Sequence, residues 1–182
     1  MKKLIISTLI LFSVQAFSQV IIGDGAGTAT NKTSVLLEFA NSNNKGIVLP
    51  YVKTVPAASA TNQGAILLDV STATAARIKY SNGTSWIDLS GRDGDVTAAL
   101  ADQPTTAEDT AAKMVIGTVT SSTPDGVLVL ESTTKAMVLP IVTDVNNIPS
   151  PSPGMMVYVN KADAKRLAVY NGSIWAFWAP ES

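Results

Sequence analysis

Large apolar residues occur along this chain in short runs: Val35–Leu37, Ile47–Leu49, Ile66–Leu68, Val127–Leu130 and Met155–Val159. Gly, Pro, Asn or Ser bounds each run, and no apolar stripe at helical spacing lasts three turns, so the predicted elements are strands. Arg77-Ile78-Lys79-Tyr80 and Ser85-Trp86-Ile87-Asp88-Leu89 alternate in polarity. Asn82-Gly83 between them predicts a hairpin, because both residues tolerate the positive φ of a tight turn. Tyr170-Asn171-Gly172 predicts a second one. Strands that are apolar at consecutive positions are buried on both faces, since successive side chains point to opposite sides. A unit of roughly seventy residues covers such strands poorly by itself. Packing against copies of itself around an axis covers them.

The pattern is also repeated. Lys45 to Thr54 (KGIVLPYVKT) matches Lys135 to Asp144 (KAMVLPIVTD) at a shift of 90, as Gly64 to Leu68 matches Gly154 to Tyr158. Tyr80 falls on Tyr170 at the same shift; one residue is then lost, and Asn82-Gly83-Thr84-Ser85-Trp86 falls on Asn171-Gly172-Ser173-Ile174-Trp175. Val35 to Glu38 corresponds loosely to Val127 to Glu131, and Ile22-Gly23 and Ile116-Gly117 mark the two starts. A shared order of landmarks points to tandem units. The expected organisation is residues 1–18 as a signal peptide, 19–90 as a first β module, 91–113 as a linker and 114–182 as a second β module. The linker is rich in Ala, Thr, Asp and Gly, with room for one helical turn over Val96 to Ala101.

The first residues set the compartment. Met1-Lys2-Lys3 is a short basic start, and Leu4 to Val14 is an apolar run of secretory-signal length, too short to span a bilayer. Small residues at Ala16 and Ser18 put the cut after Ser18, leaving Gln19 as the new N-terminus with no membrane span after cleavage. No cysteine follows the run, which excludes a lipid-anchored lipoprotein. The expected localisation is secreted, extracellular or on the cell surface, with periplasmic retention as the alternative. Without Lys2 and Lys3 the chain carries 11 basic and 14 acidic residues, and no basic patch points to nucleic acid or an anionic membrane. Cys and His are both absent, which removes disulfides and the usual structural zinc sites and leaves oligomerisation as the staple for a thin core.

The landmarks of the second unit are Ile116-Gly117-Thr118, Leu130-Glu131-Ser132-Thr133-Thr134-Lys135, Val138-Leu139-Pro140, Gly154 to Tyr158 and Tyr170 to Trp175. Their order resembles a short β-module of exported proteins from Bacteroidota-type bacteria, and modules of phage tail-fibre and fibre-shaft proteins. The first unit departs from it, with Asn41 to Lys45 in place of Ser-Thr-Thr-Lys and Leu68 where the second has Tyr158. The resemblance implies a β-rich, often trimeric, surface-exposed or fibrous protein. The fold class expected is therefore mainly β, as two tandem repeats forming a fibre-like homotrimer.

Candidate chemistry is sparse. Without His or Cys no Ser-His or Cys-His nucleophilic machinery exists, and no catalytic residue is assigned. The carboxylates Asp69, Asp88, Asp144 and Asp163 sit at strand ends and turns, where Asp serves turn geometry and solubility. Gly23-Asp24-Gly25-Ala26-Gly27 has the glycines of a dinucleotide loop. The polar, β-prone residues after it do not continue as the helix that such a loop requires, so no cofactor is expected. Asp93-Gly94-Asp95 lacks a third acidic ligand for calcium, and no metal is expected. Trp86 and Trp175, as repeat equivalents, read as core or interface anchors. Trp178 has no counterpart in the first unit and is the candidate glycan contact. Asp109-Thr110-Ala111 fits a short bacterial O-glycosylation pattern with Thr110 as acceptor. The leading expectation is a non-enzymatic structural and interaction protein, with itself as partner and an adhesive capacity. The alternative is a secreted carbohydrate-binding module using exposed tryptophans on a cell-surface or environmental glycan.

Overall fold

A computed structural model describes residues 19–23, 27, 29–30, 32–40, 44–109, 111–118, 123 and 126–178. The chain is mainly β. In the first half the strands are β1 (Val20–Ile22), β2 (Val35–Phe39), β3 (Ile47–Val48), β4 (Tyr51–Val52), β5 (Ile66–Asp69), β6 (Arg77–Ser81) and β7 (Trp86–Asp88). One short helix, α1 (Thr97–Ala101), follows. The second half holds β8 (Met114–Ile116), β9 (Leu128–Leu130), β10 (Ala136–Val138), β11 (Ile141–Val142), β12 (Met155–Val159), β13 (Arg166–Tyr170) and β14 (Trp175–Trp178).

Parallel pairs join β1 to β2, β4 to β5, β8 to β9 and β11 to β12. The chain thus advances in solenoid-like stacked coils. Antiparallel hairpins then extend two of the sheets, as β5-β6-β7 and β12-β13-β14. Both predicted hairpin turns form. Gly83 and Gly172 take φ of 90° and 106°. The Asn82 side-chain oxygen accepts from the Thr84 and Ser85 N–H groups, and that of Asn171 from Ser173 and Ile174. These bonds hold the turn residues in the geometry that the two antiparallel strands need.

Strands also cross between the halves. β3 adds antiparallel to β12, with Val48 opposite Met155 and Ile47 opposite Met156. β10 adds parallel to β2, with Met137 opposite Leu37 and Val138 opposite Glu38. The Leu49 N–H donates to the Gly154 carbonyl at 3.0 Å, and the Tyr51 hydroxyl to the Pro153 carbonyl at 2.8 Å. The largest core cluster accordingly mixes Leu68, Val70, Ile78 and Leu89 of the first half with Met156 and Val169 of the second. A second cluster (Val142, Val145, Ile148, Val157, Val159, Ala168) lies on the other face of β12 and β13.

Two sequence expectations shift. The ladder pairs Ile66 with Tyr80 and Met156 with Val169, so Val169, not Tyr170, occupies the rung corresponding to Tyr80. The lost residue lies in the turn before β13, which is shorter than the turn before β6, rather than after Tyr170. The stretch 91–113, expected as a linker, also divides. Its start is docked: Gly94 bridges Ala76, Val96 is buried, and the Asp95 N–H donates to the Ser173 hydroxyl. Beyond α1 the described residues 102–109 and 111–113 are exposed.

Candidate assembly surface

β2 is buried by packing on its faces as well as by pairing along its edges: Leu36 and Leu37 cluster with Ile116 of β8, and Phe39, Leu130 and Met137 pack against that cluster. It lies between β1 and β10, and Val35, Leu36, Leu37 and Glu38 are all buried. Glu38 is satisfied by an ion pair with the Lys32 ammonium at 2.7 Å, a bond from the Gln19 amide at 2.9 Å and a bond from the Ala29 N–H. A carboxylate this deep is tolerated because its oxygens are paired. Gly27 stands against that carboxylate, so a Cβ there would collide with it. In the candidate dinucleotide loop, residues 24–26 lie outside the described residues, and the glycine that bounds it serves the Glu38 contact.

β9 takes the position in the second half that β2 takes in the first, paired parallel with β8. Among the described residues, nothing covers it as β10 covers β2. Leu128 is 46% exposed, whereas Leu37, on the corresponding rung beside its parallel partner, is 0% exposed. Met114, Val127 and Val48 are exposed as well. Large apolar side chains exposed on or beside strands with open edges favour association with another chain.

The carboxylates that sequence reading considered are dispersed. Asp69 accepts from the Lys79 ammonium at 2.7 Å and from the Ser71 N–H and hydroxyl. Burial works to raise this carboxyl, but the bonds from Lys79 and Ser71 outweigh it and hold it below the ordinary value. Arg77 joins Asp88 to Asp93. Asp144 caps a short 3-10 turn through the Asn146 N–H and pairs with Lys161; these bonds lower its pKa, the backbone one most. Asp163 occupies a turn at φ 59°. The Asp95 carboxyl accepts from the Thr97 N–H. Among the described residues no group of three His, Cys, Asp or Glu is placed to hold a metal.

The tryptophans separate by environment. Trp86 is half-buried and donates to the Pro56 carbonyl, and Trp175 is half-buried in a tilted contact with Tyr170, ring centroids 5.2 Å apart. Trp178 is 46% exposed, its Nε1–H bonded to the Leu89 carbonyl at 2.9 Å. Beside it Phe177 is exposed beneath the Arg166 guanidinium. Thr110 lies outside the described residues. The β3 and β10 crossings have no counterpart in the sequence expectations, because they leave no local signal.

Stacked parallel coils ending in antiparallel hairpins, with apolar strands left open at their edges, define a β-rich self-associating protein. Residues 115–180 match the family model of a phage tail like trimerisation region. The second half is thus similar to a region that makes trimers in tail-like proteins, and the match supports self-association as a fibre-like homotrimer. Comparison with curated proteins and with solved structures gives no match.

Proposed function

We propose that the chain, cut after Ser18, is exported and forms a homotrimeric fibre- or stalk-like element at the cell surface, with an adhesive role and no catalysis of its own. The element is built from two copies of one unit, 19–90 and 114–182. The match of residues 115–180 to a trimerisation region carries this reading. The uncovered Leu128 supports it from the side of physics, because an exposed apolar strand gains by burial against a second copy. Sedimentation equilibrium of the protein beginning at Gln19 is expected to give three times the monomer mass, and sedimentation velocity the frictional ratio of an elongated particle. A monomer at micromolar concentration overturns the reading. Mass spectrometry of the exported protein checks the cut; retention of Leu4–Val14 refutes it.

A second reading is binding of a glycan through Trp178. The bond to Leu89 holds this indole while leaving it partly open to solvent, as stacking on a sugar ring requires. Loss of glycan-array signal in Trp178→Ala, with the mass in solution unchanged, supports it. Equal binding by the variant removes it. Modification of Thr110 rests on the Asp109-Thr110-Ala111 pattern alone, and the intact mass of exported protein against Thr110→Ala tests it.

A further inference from the structure

The contact between the two halves is built from two strand additions, β3 onto β12 and β10 onto β2. Among the described residues, each donor strand uses one edge and leaves the other open. β10 ends its sheet, and β3 pairs with β12 alone. Two acceptor edges are open in the same sense. β9 has β8 on one side only. Along β5, the partner strand β4 reaches Leu68 and Asp69, and no strand pairs on that side with Ile66 or with Gly64 and Ala65 just before β5.

These open edges correspond, rung by rung, to the filled ones. On β12, Tyr158 and Val159 pair with β11 as Leu68 and Asp69 pair with β4, at a shift of 90 on both strands. Next to them Met155 and Met156 receive β3. The same shift carries Met155 and Met156 onto Ala65 and Ile66, and Ile47 and Val48 onto Met137 and Val138. We infer that the open edge of β10 from one copy of the chain pairs antiparallel with Ala65–Ile66 of a second copy, while the open edge of that copy's β3 covers β9. Copies are thereby joined head to tail.

Burial follows this correspondence. Gly154, Met155 and Met156 are buried under β3, whereas Gly64 is exposed and Ala65 and Ile66 are only half-buried. The Gly154 carbonyl receives the Leu49 N–H, and a Cβ on Gly64 would meet nothing within 4 Å. Leu37 is covered by Met137, and Leu128 awaits Ile47 in the same relation. Val48, 48% exposed, falls beside Val129.

Side-chain sizes agree as well. Gly46 crosses β12 so closely that a Cβ there would collide with the Met155 side chain. At the corresponding crossing the donor is Ala136, one carbon larger, and the acceptor is Ala65, much smaller than Met. The smaller acceptor removes the nearest of the contacts that bar a Cβ at Gly46, the one with the Met155 side chain; those with Val157 and the Met156 carbonyl have counterparts in Leu67 and the Ile66 carbonyl, which a slightly wider crossing clears. A head-to-tail contact uses two different patches and closes into a ring when its rotation allows. Closure at three chains rests on the trimeric reading above; the edges themselves do not depend on that number.

Cysteine cross-linking tests the register, because the chain has no cysteine of its own. Val48 and Met155 face each other between hydrogen-bonded rungs, where side chains approach most closely. The corresponding pair across copies is Val138 and Ala65. Ala65→Cys and Val138→Cys single variants, co-expressed and oxidised, are expected to give a mixed covalent dimer joined at those two positions. The off-register pair Ala65→Cys with Ala136→Cys is expected to give about tenfold less, since that donor position is two residues away along the strand. Trimers by mass with no covalent link between positions 65 and 138 overturn the inference and leave the trimeric reading standing. A monomer by mass overturns both. A link formed within one chain of the double variant places β10 on its own β5 and also overturns the inference.

Discussion

Lys79 shows what an alternating strand leaves unsaid about a single side chain. From pattern alone it is a solvent-facing position where Lys79→Asp should be mild. The structure instead sets its ammonium against Asp69 on the neighbouring strand, with Asp69 largely buried. Removing the pair by Lys79→Met should cost about 0.5–1 kcal/mol at low salt, and Lys79→Asp more, because two carboxylates then face each other. Asp69 is held below its ordinary pKa, so its contribution is complete above that ordinary value and fades as pH falls through the folded one. The stability gap between wild type and Lys79→Met, measured by urea unfolding, should be constant at neutral pH and close in acid below about pH 4. Tyr51 runs the other way. Burial raises its phenol, so its contribution is complete below the ordinary value and is lost as pH rises through the folded one. Tyr51→Phe removes the bond to Pro153, about 1 kcal/mol. Wild type and variant should converge in unfolding experiments above about pH 10.

At the scale of the element, legibility followed sequence distance. The hairpins β6-β7 and β13-β14 were readable because Asn82-Gly83 and Asn171-Gly172 carry the turn chemistry within a few residues. The two-faced burial of Val35–Leu37 was readable from composition, but the partners that bury it, Ile116 with Leu130 and Met137, were not, nor was the strand beside it. β10, which covers one edge of β2, lies about a hundred residues downstream and carries no mark of where it will pair. The single helical turn near Val96 formed as α1. What composition missed was that Val96 and Gly94 just before it are docked, since a small residue can be buried as well as a large one. The chemical candidates were legible as dispersed because Asp in turns has a local use. The assembly edges were not, because an open strand edge is a property of backbone with no partner. Gly46 offers a direct test of the crossing it allows. Gly46→Ala should destabilise the fold by about 1–3 kcal/mol through overpacking against Met155 and Val157. Ala136→Gly should change the monomer by less, and the two urea midpoints compare them.

For the molecule as a whole, the apolar residues that looked too numerous for an isolated unit fall into two groups. Leu67 is buried within the chain, whereas Leu128 is exposed. Aspartate at Leu67 should unfold the protein, since it leaves a charge in the interior. Aspartate at Leu128 should leave the circular dichroism of the folded chain intact and abolish self-association, with sedimentation shifting to the monomer mass. An unfolded Leu128→Asp variant would mean that this strand belongs to the core and not to an interface.

The addition of β10 to β2 also governs when the chain can finish folding. Val35 to Glu38 has one neighbour as soon as it is made, but the second arrives only with residues 136–138, late in synthesis. Pairings so distant in sequence form late and slowly, because a long loop must close before any contact repays it. The first half therefore emerges without a finished core, and a fragment ending at Lys113 should stay largely unfolded by hydrogen exchange. For a chain that is exported, as proposed above, this is an advantage in timing: it reaches the translocation machinery still threadable and locks only once its last third has followed.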